Sequence, residues 1–121
     1  MSTKATGIDA IYFSVSDVPR AAAFYKALLD VKETTWENEH GAEWILDDGS
    51  AFGIGKLPGA QPVPSGCVLF AVPDAAALTS RVTELGGKLT GDLREMPPCF
   101  QQWCLDPDGN AFVLHQRKNV S

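Results

Sequence analysis

The sequence predicts an α+β protein made of two tandem βαβββ modules. Three observations carry that prediction: an internal repeat, a change of hydrophobic period inside each copy, and turn residues at matching places. Tyr12-Phe13-Ser14-Val15-Ser16-Asp17 returns 57 residues on as Leu69-Phe70-Ala71-Val72-Pro73-Asp74. Asp48-Gly49-Ser50-Ala51-Phe52 returns 60 residues on as Asp108-Gly109-Asn110-Ala111-Phe112. Two offsets that nearly agree mean two modules with one plan.

Each module opens on alternation. Ile8 to Val15 reads as a strand with Ile11, Phe13 and Val15 on one face, and Cys67 to Val72 reads likewise. Asp17 and Asp74 are good N-caps, and Pro19 suits a first turn that needs no amide donor. Ala21, Phe24, Tyr25 and Leu28 then follow helical spacing, and Leu78, Val82 and Leu85 repeat the stripe. Gly86 and Gly87 are expected to end the second helix in the left-handed region, with Asp30 in the matching place of the first.

After each helix the chain reads as extended. The expected strands are Lys32 to Glu37, Glu43 to Leu46 and Ala51 to Gly55, then Lys88 to Leu93, Gln101 to Leu105 and Ala111 to Gln116. Asp47-Asp48-Gly49-Ser50 and Asp106-Pro107-Asp108-Gly109-Asn110 are tight turns between the last two strands of each module. The second of these is no calcium loop, since its glycine is fourth and no glutamate closes it. Leu57 to Gly66 holds three prolines and two glycines, which suit neither a helix nor a central strand. The expected organisation is one domain over residues 1–121, with modules 8–55 and 67–118 joined by a linker at 56–66.

Composition excludes several classes. At 121 residues and 45% hydrophobic, the chain is long enough to bury a core. Its longest apolar run, Cys67 to Val72, is far too short to span a bilayer, so no membrane partner is expected. Met1 to Lys4 does not read as the start of a signal peptide. A net charge of −5 with no basic stripe excludes a nucleic-acid partner. Three cysteines without a CxxC pair fit reduced thiols, and the expected location is cytoplasmic.

Val15-Ser16-Asp17, Phe24-Tyr25, Leu28-Leu29 and above all Asp106-Pro107-Asp108-Gly109-Asn110, together with the repeat, resemble the vicinal oxygen chelate superfamily. That group contains glyoxalases, extradiol dioxygenases, epimerases and fosfomycin- and bleomycin-resistance proteins. The resemblance covers about Ile8 to Lys118. It implies that the curved mixed sheets of the two modules enclose a pocket and that the protein is a homodimer. It also implies a divalent metal held by one side chain from the first and last strand of each module. Carried over, the ligand positions are Ala10, Gly53, Cys67 and Val113. Three of these have no donor atom, so neither metal nor other cofactor is expected. A displaced site using Cys67, His115, Cys99 or Cys104, and Glu43 has no local ligand spacing in its support. Buried apolar packing is the simpler role for Cys67 and Cys104.

With the ligands replaced, the inward walls read as small and apolar: Ile8, Ala10, Tyr12 and Ser14; Cys67, Leu69 and Ala71; Ala51, Gly53 and Gly55; and Ala111, Val113 and His115. Roomy apolar walls with a few oriented polar groups suit a small-molecule pocket. The expected ligand-binding residues are Tyr12, Ser14, Cys67, Trp103 and His115, with no catalytic residue and no metal ligand assigned. Which of Trp36, Trp44 and Trp103 face the pocket stays open at this level. The leading expectation is a metal-free protein that sequesters a hydrophobic or cationic small molecule. The alternative is a lyase or oxidoreductase resembling glyoxalases and dioxygenases, with a noncanonical metal or a metal-free acid–base site.

Overall fold

A computed structural model describes residues 4, 6, 8–56 and 67–118; the expected linker lies outside the described residues from position 57 onward. The first module runs β1 (Ala10–Ser14), α1 (Val18–Leu29), β2 (Trp36–Asn38), β3 (Gly41–Ile45) and β4 (Ala51–Gly55). The second runs β5 (Cys67–Ala71), α2 (Ala75–Glu84), β6 (Lys88–Leu89), β7 (Arg94–Glu95), β8 (Cys99–Leu105) and β9 (Ala111–Arg117). In the first sheet the order is β1-β4-β3-β2, and in the second β5-β9-β8-β6 with β7 also on β8. The opening strand of each module lies parallel to its last strand, and the other pairs are antiparallel. Two curved mixed sheets, each with one helix, thus define the α+β fold, and the sheets do not close on one another.

The helix ends follow from their caps. The Asp17 carboxylate accepts from Arg20 N–H, and Asp74 accepts from Ala77 N–H, each at 3.1 Å. Asp30 closes α1 in the left-handed region at φ 53°, and Gly86 does so after α2 at φ 97°. Gly87 has a different task from the one expected of it. A Cβ there would stand 2.8 Å from the Leu105 carbonyl and 2.9 Å from Val82, so glycine lets α2 approach β8.

Two expected strands are shorter than the sequence suggests. Only Trp36–Asn38 pairs with β3 as a strand, Thr35 N–H adds one bond to the Glu43 carbonyl at 2.7 Å, and residues 32–34 run outside the ladder. Lys88 to Leu93 splits because the side chain of buried Gln102 donates from Nε2 to the Gly91 carbonyl at 2.8 Å. That bond takes a backbone acceptor that a continuous ladder would otherwise use, and pairing resumes at Arg94.

Both helices pack on the same side of their sheets, over one shared core. Phe13, Val15, Trp44, Phe52 and Ile54 of the first module meet Phe70, Phe112 and Leu114 of the second, with Phe24 and Tyr25 of α1 between them. The rings of Phe52 and Phe70 meet edge to face with centroids 5.0 Å apart, so the modules are joined through aromatic packing. Ile11 belongs to the same alternating face but is exposed at the rim. Among the described residues no helix covers the opposite face of either sheet.

Candidate ligand-binding site

Strand register decides what the open faces present. Across the first sheet, Tyr12 of β1 pairs with Gly53 of β4, Gly53 with Glu43 of β3, and Glu43 with Trp36 of β2. All four therefore lie in one row and share one face. Alternation sends neighbouring Trp44 into the core, where it is fully buried against Phe52.

The row has internal contacts. Tyr12 donates its hydroxyl to Glu43 Oε1 at 2.6 Å, and the Tyr12 and Trp36 rings lie nearly parallel, with centroids 6.4 Å apart. Desolvation, and then the hydrogen bond to Glu43, push the Tyr12 phenol above its ordinary pKa, so it is a neutral donor at physiological pH. Both rings lie over bare backbone. A Cβ at residue 53 would stand 2.6 Å from the Tyr12 ring, and one at residue 41 would stand 3.0 Å from the Trp36 ring.

In the second sheet Leu69 of β5, Val113 of β9 and Trp103 of β8 form the matching row, with Leu69 and Trp103 exposed and Val113 buried between them. Ala71, His115, Gln101 and Arg94 form the next row. Trp103 donates from Nε1 to Gln101 Oε1 at 3.2 Å. It also borders a hollow of about 430 Å³ with Thr90, Gly91, Asp92, Arg94, Met96 and Gln101.

The five expected ligand-binding residues divide between these faces. Tyr12 and Ser14 stand on the first sheet, and Cys67, Trp103 and His115 on the second. Tyr12 is brought to Glu43 and Trp36, and Trp103 to Gln101. A larger cleft of about 560 Å³ lies between α1, the β3–β4 turn and β5; it shares Leu69 and Ala71 with the second sheet's rows, and none of the five lines it. Its walls include Ile11, Leu28, Phe52, Leu69, Phe70 and Leu114. Cys67 is exposed, against the buried role weighed for it, whereas Cys99 and Cys104 are buried. Burial pushes the Cys104 thiol up to about 12.

Trp36 and Glu43 are the site residues that the sequence reading did not assign. In the sequence Glu43 stands only as part of a displaced metal site, and the alternation Glu43-Trp44 is its available signal: once Trp44 is core, Glu43 faces outward. For Trp36, on a three-residue edge strand, the sequence gives no comparable signal.

The superfamily's metal does not fit this geometry. Position 53, where a last-strand ligand belongs, is covered by the Tyr12 ring, so any side chain there would collide with it. Among the described residues no group of three or more His, Cys, Asp and Glu side chains is placed to hold a metal ion. Of the displaced set, Cys104 faces the core, Cys67, Cys99 and His115 share the open face of the second sheet, and Glu43 stands on the first sheet, so the set is divided between the two sheets.

Fold and open-faced half-sheets together place the protein in the vicinal oxygen chelate class. A family model for a glyoxalase-like domain matches residues 10–115, and the chain belongs to that family. Solved structures agree on the fold. A glyoxalase/bleomycin resistance protein from Albidiferax ferrireducens T118 superposes with a TM-score of 0.77 at 19% identity, over 92% of this chain and 98% of that one. A glyoxalase/bleomycin resistance protein/dioxygenase family enzyme from Burkholderia phytofirmans PsJN gives 0.77 at 17% identity, over 91% and 98%. A genomically encoded fosfomycin resistance protein from Listeria monocytogenes gives 0.74 at 18% identity, over 95% and 96%. No curated relative matches the sequence significantly. Among the described residues no helix is long and apolar enough to cross a membrane.

Proposed function

We propose that the protein is a metal-free, small-molecule-binding member of its family, acting as a homodimer in the cytoplasm. The observation that carries this reading is the make-up of the uncovered faces. Tyr12 is 43% exposed, Trp36 38%, Leu69 52% and Trp103 38%, and oriented polar groups stand beside them at Glu43, Gln101 and His115. Large aromatic groups left in water beside a few fixed polar atoms are what a ligand site presents.

Neither half-sheet surrounds a ligand alone. A two-fold axis that sets the first sheet of one protomer against the second sheet of its partner closes two equivalent pockets. It brings Tyr12 and Ser14 opposite the partner's Cys67, Trp103 and His115. Two-fold pairs are also the commonest oligomers.

The test is a thermal-shift screen of small-molecule ligands, with sedimentation to give the oligomeric state. A dimer stabilised by a ligand whose affinity falls in His115→Ala, with the melting temperature of the free protein nearly unchanged, supports the reading. A monomer that no compound stabilises contradicts it. So does a His115→Ala protein that loses stability but binds as before.

A further inference from the structure

We propose that the Tyr12–Gly53–Glu43–Trp36 row is a subsite for a small organic cation, an amine or quaternary ammonium group with an apolar surround. The inference rests on the ligand-binding reading above and adds the chemical class of the ligand and the residues that select it.

Two glycines lay the rings down. With no Cβ at residue 53 or 41, Tyr12 and Trp36 rest against backbone and expose ring surface to the open face. The face of an aromatic ring is negative, and it attracts a cation within about 6 Å of its centroid. Glu43 adds a full negative charge between the two rings along the row. Its hydrogen-bond partner is the neutral Tyr12 phenol, which holds the carboxylate in place without cancelling its charge.

Among the ion pairs of the described residues none reaches Glu43. Ion pairs among the described residues go to Asp108, Glu37, Glu39, Glu84 and Glu95, and the nearby Lys26 is taken by Glu37 at 2.7 Å. The site's three negative elements therefore await an external positive charge. A strongly hydrated metal ion gains little here, because one carboxylate and one phenol replace few of its waters. A quaternary or heavily alkylated ammonium gains at both rings and at the carboxylate, since its hydration is weak and its surface apolar. An uncharged planar molecule could stack on the floor but would make no use of Glu43. The chain's net charge of −5 also favours approach of a cation.

The test titrates the full-length protein with choline and with its uncharged carbon isostere, dimethylbutanol, followed by calorimetry and tryptophan fluorescence. Choline is expected to bind about tenfold more tightly than the isostere and to quench fluorescence. Glu43→Gln is expected to remove most of that preference, and Trp36→Leu to weaken choline about fivefold and abolish the quench. Trp36 lies on an exposed edge strand, so this second variant keeps the test open if Glu43→Gln folds poorly.

Equal binding of choline and isostere overturns the proposal, as does unchanged choline affinity in both variants. If choline fails while a screened neutral compound binds in a His115-dependent way, the cation subsite is wrong and the ligand-binding reading stands. If neither binds, both are wrong. If the variants change sedimentation but not choline affinity, the row is a contact between protomers, which also overturns the subsite.

Discussion

Tyr25, on the helix of the first module, donates its hydroxyl to Asp106 Oδ2 in the last turn of the second, at 2.7 Å and out of contact with solvent. Asp106 also accepts from the backbone N–H of Asp108 and of Asn110 and from the Asn110 side chain. The same turn reaches back twice more. Asn110 donates from Nδ2 to the Ser14 carbonyl at 2.9 Å, and Asp108 accepts from Ser16 and Arg20. What the sequence marks as a tight turn is also the polar joint between modules.

Removing one partner of this joint leaves a buried acceptor short of a donor. Tyr25→Phe is expected to cost about 1.5–3 kcal/mol, the range for a hydrogen bond to a charged group. Chemical denaturation measures it. Combining Tyr25→Phe with Asp106→Asn is expected to cost less than the sum of the single changes, because both act on one contact. Additive costs would mean that the contact contributes little.

Alkaline stability has a predicted sign. Burial, and then the negative charge of Asp106, push the Tyr25 phenol far above its ordinary 10.0, and burial raises the Cys104 thiol from 9.0 to about 12. Raised values mean that the folded protein keeps protons that the unfolded chain gives up. Stability is therefore complete below about pH 9 and falls as pH climbs toward 12, first through Cys104 and then also through Tyr25, at up to about 1.4 kcal/mol per pH unit for each group. Denaturation series across this window check it: Tyr25→Phe should flatten the fall above pH 10. In the native protein at pH 8, a thiol reagent should modify Cys67 quickly and the buried Cys99 and Cys104 slowly.

Glycines under the aromatic rings are not interchangeable with alanine. At Gly53 a methyl would meet the Tyr12 ring at 2.6 Å and the Ala42 carbonyl at 2.8 Å; at Gly41 it would meet the Ile54 carbonyl at 2.3 Å. Both Ala variants should lose about 1–3 kcal/mol through overpacking, with Gly41→Ala the worse because backbone cannot swing aside. Adding Tyr12→Ala should recover part of the Gly53→Ala loss and none of the Gly41→Ala loss. Thermal melts of the single and double variants decide this.

Much of the fold was legible because its signals are local. The repeat, the capping Asp17 and Asp74, and the glycines at 49 and 109 each specify a nearby turn or end, and the structure has those features. Asp30 adopts the left-handed geometry because its side chain tolerates it. Lys88 to Leu93 was less legible because the Gln102 side chain, from another strand, interrupts it. The open-face row was half legible for a similar reason. Alternation gives the face of Glu43 only after Trp44 is known to be core, and which side of a sheet is covered depends on the helices and on the other module. The inter-module bond of Tyr25 spans 81 residues, beyond the reach of any local pattern.

In this family fold the metal position is filled by an aromatic ring. Elemental analysis of purified, tag-free protein tests it most directly, as isolated and after incubation with Zn, Ni, Mn and Fe(II) followed by desalting. No stoichiometric metal is expected under any of these conditions, because Tyr12 covers Gly53, and Ala10 and Val113 offer no donor. Near-stoichiometric metal that is lost in Cys67→Ser or His115→Ala would contradict it.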